Sequence, residues 1–450
     1  MRGACLALLL LSSAAGAQTV GLEFRVNKIA AGDQNSPNVG GSVAGFVVAW
    51  ADGDGDATGI FARRFDTQAS PLTDDFRVNT VTTKSQSVPW VAMNASGAFV
   101  IAWQRLFAGG TENLTGIEAQ VYDANGTPVG SELHVNQYTT GDQSSPAVAM
   151  ANDGTFLVAW SGEGDGDLNG IFARRYSAGG APASDEFKVN SYVSGAQDTV
   201  RVGMNIGTGD FLVVWHGTGE TDGVGINAQR YASNGAVLGD EFRVNTTTTN
   251  QQAGCAVAAL PTFGLTNAFV VAWGDAPVIR AQRYNEAHGS FSASGPEFIV
   301  GDGGNPAASM SADGDFVVAK IDTDEATARF FDSTGVPIAP AEFRVNTFTT
   351  GVQNVVSAAS LGRGKHVLVW KSTGQDGDAG GVYAQLYNRN GDADGDGAIS
   401  ISDVFYLINF LFASGPPPLA PADVNGSSAT DIADVFYLIN FLFAGGPAPV

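Results

Sequence analysis

The chain has 450 residues, 45 acidic against 23 basic side chains and a formal net charge of −22. This balance excludes nucleic acid and anionic membrane as partners, since neither attracts an acidic protein. Fifty-eight glycines, with little Lys or Glu, favour turns between short strands over helix.

Residues 1–17 read as a secretory signal, with Arg2 as the charged start, Leu6 to Leu11 as the apolar core and Ala15-Gly16-Ala17 as the cleavage site. No later stretch reaches the roughly 18 uninterrupted apolar residues of a membrane helix. The expected location is therefore extracellular or at the cell surface, with no membrane span. Cys5 leaves with the signal, so only Cys255 remains and no internal disulfide is expected. An exported chain without disulfides must be held by its core, by metal, or by both.

From Glu23 onward one pattern recurs: a short Glu-Phe-Arg-Val-Asn strand, a polar loop, an apolar strand, a tight turn, a Phe-Val-Val-Ala-Trp strand, an acidic loop and an Ile-Phe-Ala-Arg-Arg-Tyr strand. Its first element begins at Glu23, Asp75, Glu132, Glu186, Glu241, Glu297 and Glu342, seven copies spaced by 45 to 57 residues. Four strands per unit at this period predict a mainly β fold, a seven-bladed β-propeller over residues 22–389. In the third strand Phe46, Val48 and Trp50 point one way and Val47 and Ala49 the other. Both sets are apolar, as expected of a strand packed between neighbouring sheets. The segment at Glu23 stands alone before the first full set and is expected to complete the last blade. The sixth copy departs most, with Lys320 in place of Trp and no Val-Asn after Phe298.

Strand parity puts the loops after Val-Asn and the loops after Trp on one face. The first are rich in Thr, as at Thr139-Thr140-Gly141-Asp142, and the second are acidic, as at Asp52-Gly53-Asp54-Gly55-Asp56 and Glu163-Gly164-Asp165-Gly166-Asp167. The acidic and hydroxyl-rich rim is the expected contact surface for a glycan or a protein. The triplets Asp52, Asp54, Asp56 and Glu163, Asp165, Asp167 look like the calcium hairpins of integrin-type propellers, so the resemblance implies further calcium sites there.

Trp50 and its equivalents recur once per blade, which argues for core packing. The unrepeated Trp90, Phe107 and His216 are the better candidates for ligand contact. His134, His216, His288 and His366 show no metal spacing, and no catalytic set emerges.

The tail, residues 390–450, carries two copies of Asp-Val-Phe-Tyr-Leu-Ile-Asn-Phe-Leu-Phe-Ala, beginning at Asp403 and Asp434, 31 residues apart. Each copy follows an acidic loop. In the first, carboxylates at positions 1, 3, 5 and 12 are Asp392, Asp394, Asp396 and Asp403, with Gly397 at the turn. Ala398 would add its carbonyl and Ser400 an oxygen. Calcium takes six to eight oxygens, and this spacing wraps them around one point. The second loop offers Asp423, Asn425, Ser427, Ala429, Asp431 and Asp434, with Ser428 where the turn glycine would stand.

Two such loop-plus-helix units about 30 residues apart resemble a type I dockerin, an EF-hand-like module that docks extracellular enzymes onto cohesin receptors. The resemblance implies two calcium ions and a cohesin-like or other protein receptor on the C-terminal helices. The receptor-reading positions of that family fall on Ile401-Ser402 and Ile432-Ala433. The expected function is a secreted, calcium-binding, non-catalytic binding or scaffold protein. The alternative is an extracellular polysaccharide-degrading enzyme, a glycoside hydrolase or lyase, delivered by the same tail.

Overall fold

The computed structural model describes residues 18–449 except 54–56, 107–114, 165–166, 219–222, 261–268, 288–289, 339–341, 363, 389–390, 395–398, 420–421, 426–428 and 447–448. For 18–21, 167–168, 287 and 290 only the backbone is described. Seven sheets form a closed ring, followed by two helices. Each sheet is antiparallel; the first blade runs Asn35–Ser42, Gly45–Gly53, Thr58–Phe65, Phe76–Arg77 from the inside out. The inner strands pack against one another around the ring, and the last, Gln353–Ser360, meets the first. The fifth blade carries one extra strand, Ser290–Ala293, beside its outer strand Phe298–Asp302.

Closure follows the expectation. Strand Gln18–Arg25 pairs with Gly380–Asn388 and completes the seventh blade. The repeat frame shifts, however. The Glu-Phe-Arg strand is the outermost strand of the preceding blade, as Phe76–Arg77 shows by pairing with Phe61 and Ala62. In a ring, a period fixes the number of blades but not where one ends.

Apolar residues on both faces of the third strand feed separate cores. Phe46, Val48 and Trp50 lie in the cluster between blades seven and one, and Val47 and Ala49 in that between blades one and two. All six tryptophans of the repeat are at most 1% exposed. Directly opposed aromatic pairs, such as Phe46 with Phe65 and Phe99 with Tyr122, stack at 4.9 and 4.6 Å.

Polar repeat residues are structural. The Asn of Val-Asn accepts a bond from the neighbouring strand, as in Ile60 N to Asn79 Oδ1, 2.8 Å, and donates to a buried Gln seven residues on. The Glu that opens each short strand accepts from the loop of the previous blade, as in Ser191 N to Glu241 Oε2, 2.6 Å. Glu23 does the same for Thr347 N at 2.6 Å, across the ring closure. The arginine pairs are ties as well: Arg63 and Arg174 donate to the Val26 and Val135 carbonyls, and Arg64 and Arg175 to carbonyls of the next blade. Where Val-Asn is missing, Glu342 instead pairs with Lys320, whose ammonium fills the tryptophan position fully buried.

The rim loops meet as parity predicts. Gln34 donates to Asp52 Oδ2 at 3.1 Å, and Thr115 Oγ1 to Asp142 at 2.8 Å. Among the described residues, no helix is long and apolar enough to cross a membrane.

Candidate metal centre and ligand-facing residues

The two tail helices, α1 (Ile401–Ala413) and α2 (Ile432–Ala444), begin alike. Ser400 and Asp431 are their N-caps, accepting from Ser402 N at 3.1 Å and Ala433 N at 2.7 Å. The third residue of each helix, Asp403 or Asp434, reaches back to complete a capping box. The helices end on left-handed residues, Ser414 at φ 56° and Gly445 at φ 67°, rather than at the following prolines. Val404, Leu407, Val435 and Leu438 pack with Ala393, Ala422 and Val424 into one small core.

That core carries the first loop's acids. Asp392, Asp394 and Asp403 each place a carboxylate oxygen within 4.8 Å of the others. Asp392 and Asp403 are buried, and Asn388 Nδ2 holds Asp392 at 2.9 Å. Asp403 accepts from Ser400 N at 2.7 Å and Asp394 N at 3.1 Å. Burial, reinforced by the Asp394 and Asp392 charges, nevertheless pushes its carboxyl up to about 6. Three acids so close repel one another, and an all-oxygen donor set of this kind suits a hard divalent cation. Asp396 and Ala398 lie outside the described residues.

The second loop repeats the frame with fewer acids in place. Asp434 is buried and accepts from Val424 N at 2.9 Å, Asn425 N at 3.2 Å and Asp431 N at 2.8 Å, and burial raises its carboxyl. Asp423 and Asn425 are half-buried, Ala429 and Asp431 are exposed, and Ser427 lies outside the described residues. Among the described residues, three carboxylates converge only in the first loop.

Of the rim triplets, Asp52 is nearly buried and bonded to Gln34, and burial raises its carboxyl. Asp54, Asp56 and Asp165 lie outside the described residues, as do the Asp167 side chain, Phe107 and His288. Glu163 is half-buried beside Gly141.

Trp90 and His216 both line the central channel, and Arg201 joins them there. Sequence reading missed Arg201, although an arginine set between Val200 and Val202 on an inner strand was its visible signal. It also passed over a side cleft of about 920 Å³ between blades one and two. Glu118 stands there where blade one has Phe61, 3.5 Å from Arg105 and 3.3 Å from His134, and burial raises its carboxyl.

No protein-family profile matches the chain, and no curated protein matches it in sequence. Among solved structures it is similar to a protein of unknown function from Dyadobacter fermentans, at 10% identity and a TM-score of 0.48, over 83% of this chain and 99% of that one. It is also similar to the Hadza microbial sialidase Hz136, at 10% identity and a TM-score of 0.47, over 74% of each chain. The alpha-L-arabinanase of Penicillium chrysogenum aligns at 11% identity and a TM-score of 0.46, over 83% of this chain and 99% of that one. Likeness at this level assigns no activity.

Proposed function

We propose that this is a secreted, calcium-binding, non-catalytic binding protein. Its propeller rim contacts a glycan or protein, and its tail docks onto a protein receptor through the two helices. The reading rests on the convergence of Asp392, Asp394 and Asp403 at the spacing of a calcium loop. The duplicated helices support the docking role: Phe405, Phe412, Phe436 and Phe443 are 64 to 67% exposed, a large apolar surface for a soluble chain to show. Asp392, Asp394 and Asp403 would hold the ion, with Asp396, Ala398 and Ser400 completing the shell; the ion would fix the loop against α1. Calorimetry with calcium on the full chain is expected to show binding, weakened about tenfold or more by Asp394→Asn. Heat that is absent, or unchanged in that variant, contradicts the assignment.

The enzyme alternative has one observation in its favour. Glu118, an acid outside the repeat pattern, lines the cleft with Glu132, whose Oε2 is the one tied to Thr80 N and Oγ1 at 2.7 Å. Paired carboxylates are the machinery of glycoside hydrolysis. A polysaccharide hydrolysis screen decides it. Turnover that Glu118→Gln abolishes establishes the enzyme; the binding-protein reading predicts no turnover in either form.

A further inference from the structure

We propose that the central channel is a binding site for a small organic carboxylate with an apolar body, gripped by Arg201 and Trp90. The channel encloses about 920 Å³ and is lined by the inner strands of the blades. That volume is in the range of small-molecule sites. One layer of these strands faces the residue before the repeat tryptophan. It carries Asn38, Trp90, Arg201 and Ser357 in four blades and alanine in the other three.

Two of those four polar or aromatic residues satisfy each other. Asn38 Nδ2 donates to Ser357 Oγ at 3.2 Å, and Asn38 Oδ1 accepts from Val91 N at 2.8 Å. Arg201 is different. Its guanidinium lies 4.3 Å over the Trp90 ring and donates through Nη1 to the Val200 carbonyl at 2.8 Å. No carboxylate among the described residues pairs with it. The nearest acid on its own strand, Asp198, is engaged by His216 at 3.2 Å and Thr199 at 2.7 Å. Cys255, the titratable neighbour, has its thiol pushed up to about 12 by burial and so brings no charge at neutral pH.

A guanidinium offers five donors in a planar fork that matches a carboxylate. Here most of the fork is left over, with an aromatic face behind it. No Asp or Glu is among the described lining residues, whose walls are mostly alanine, valine, glycine and methionine. This combination favours one carboxylate on an apolar chain. A phosphate dianion would need more donors than a single arginine supplies, and its remaining oxygens would face apolar walls.

The test uses the full chain, with hexanoate as the probe, read by calorimetry and by tryptophan fluorescence. Hexanoate is expected to bind once per chain, and hexanamide and inorganic phosphate at least about tenfold more weakly. Arg201→Met is expected to weaken hexanoate by the same factor, and Arg201→Lys, which keeps the charge without the fork, to fall between. Trp90→Phe should remove the fluorescence response. Near-ultraviolet circular dichroism checks that each variant is folded; if Arg201→Met is not, Arg201→Lys and the amide comparison carry the test. No heat from hexanoate at millimolar concentration, affinity unchanged in the arginine variants, or phosphate bound as tightly as hexanoate would each overturn the proposal.

Discussion

His366 stands where the six other blades have phenylalanine, at Phe46, Phe99, Phe156, Phe211, Phe269 and Phe316. It is fully buried, 2.7 Å from Ser309 Oγ and edge-on to Phe330. Burial disfavours its charged form and lowers its pKa from 6.5 to about 3. The folded state therefore binds its proton less readily than the unfolded state. The stability that goes with the neutral ring is complete above about pH 6.5 and drains away as pH falls toward 3, by about 1.4 kcal/mol per pH unit. His366→Phe restores the repeat residue and should flatten the stability curve over that interval relative to the parent. Parallel acid curves for the two proteins would show that His366 is not the sensitive group. This substitution is plain in the repeat. Arg201 is harder to place, because its layer depends on a bulge that shifts the register between Asp198 and Arg201. The bulge residue in six blades is not glycine, as with Val88 at φ 51° and Thr199 at φ 53°, so no glycine marks it.

At the scale of strands and helices, the blade is stitched by the repeated Glu, Asn, Gln and Arg. Those positions read in sequence as a pattern, and the Asn–Gln pair lies only seven residues apart. The other bonds that join strands and blades, such as Ile60 N to Asn79, Ser191 N to Glu241 and Arg64 to the Ala124 carbonyl, span 19 to 60 residues and cannot be read from spacing. The clasp at Glu23 is the case that matters most. Its carboxylate holds the Thr347 backbone and hydroxyl across 324 residues of chain, at 2.6 and 3.0 Å. Glu23→Ala should cost about 2 kcal/mol and fray the edge strand, seen as faster amide exchange at Val26, which donates to Val382 O. Glu186→Ala breaks the same kind of bond within an uninterrupted part of the ring and should leave those amides protected. Equal fraying in both variants would mean that the clasp does not hold the closure.

For the whole molecule, the ring and the tail are stabilised in different ways. The ring has seven apolar cores between successive blades and its own closing strand. The tail has one small core, with the buried Asp392, Asp403 and Asp434 in its wall and the half-buried Asp394 beside the first two. Blade number and the acid spacing of the tail were both legible in the chain, since each is a repeat with a fixed period. Which blade owns the Glu-Phe-Arg strand, and which acids converge, were not, because both depend on how distant segments dock. The most direct measurement is amide hydrogen exchange on the full chain with calcium and with a chelator. The account predicts that calcium slows exchange through 391–394 and α1 and leaves the propeller strands unchanged. Exchange in α1 that ignores calcium, or a propeller that responds as strongly as the tail, would contradict it.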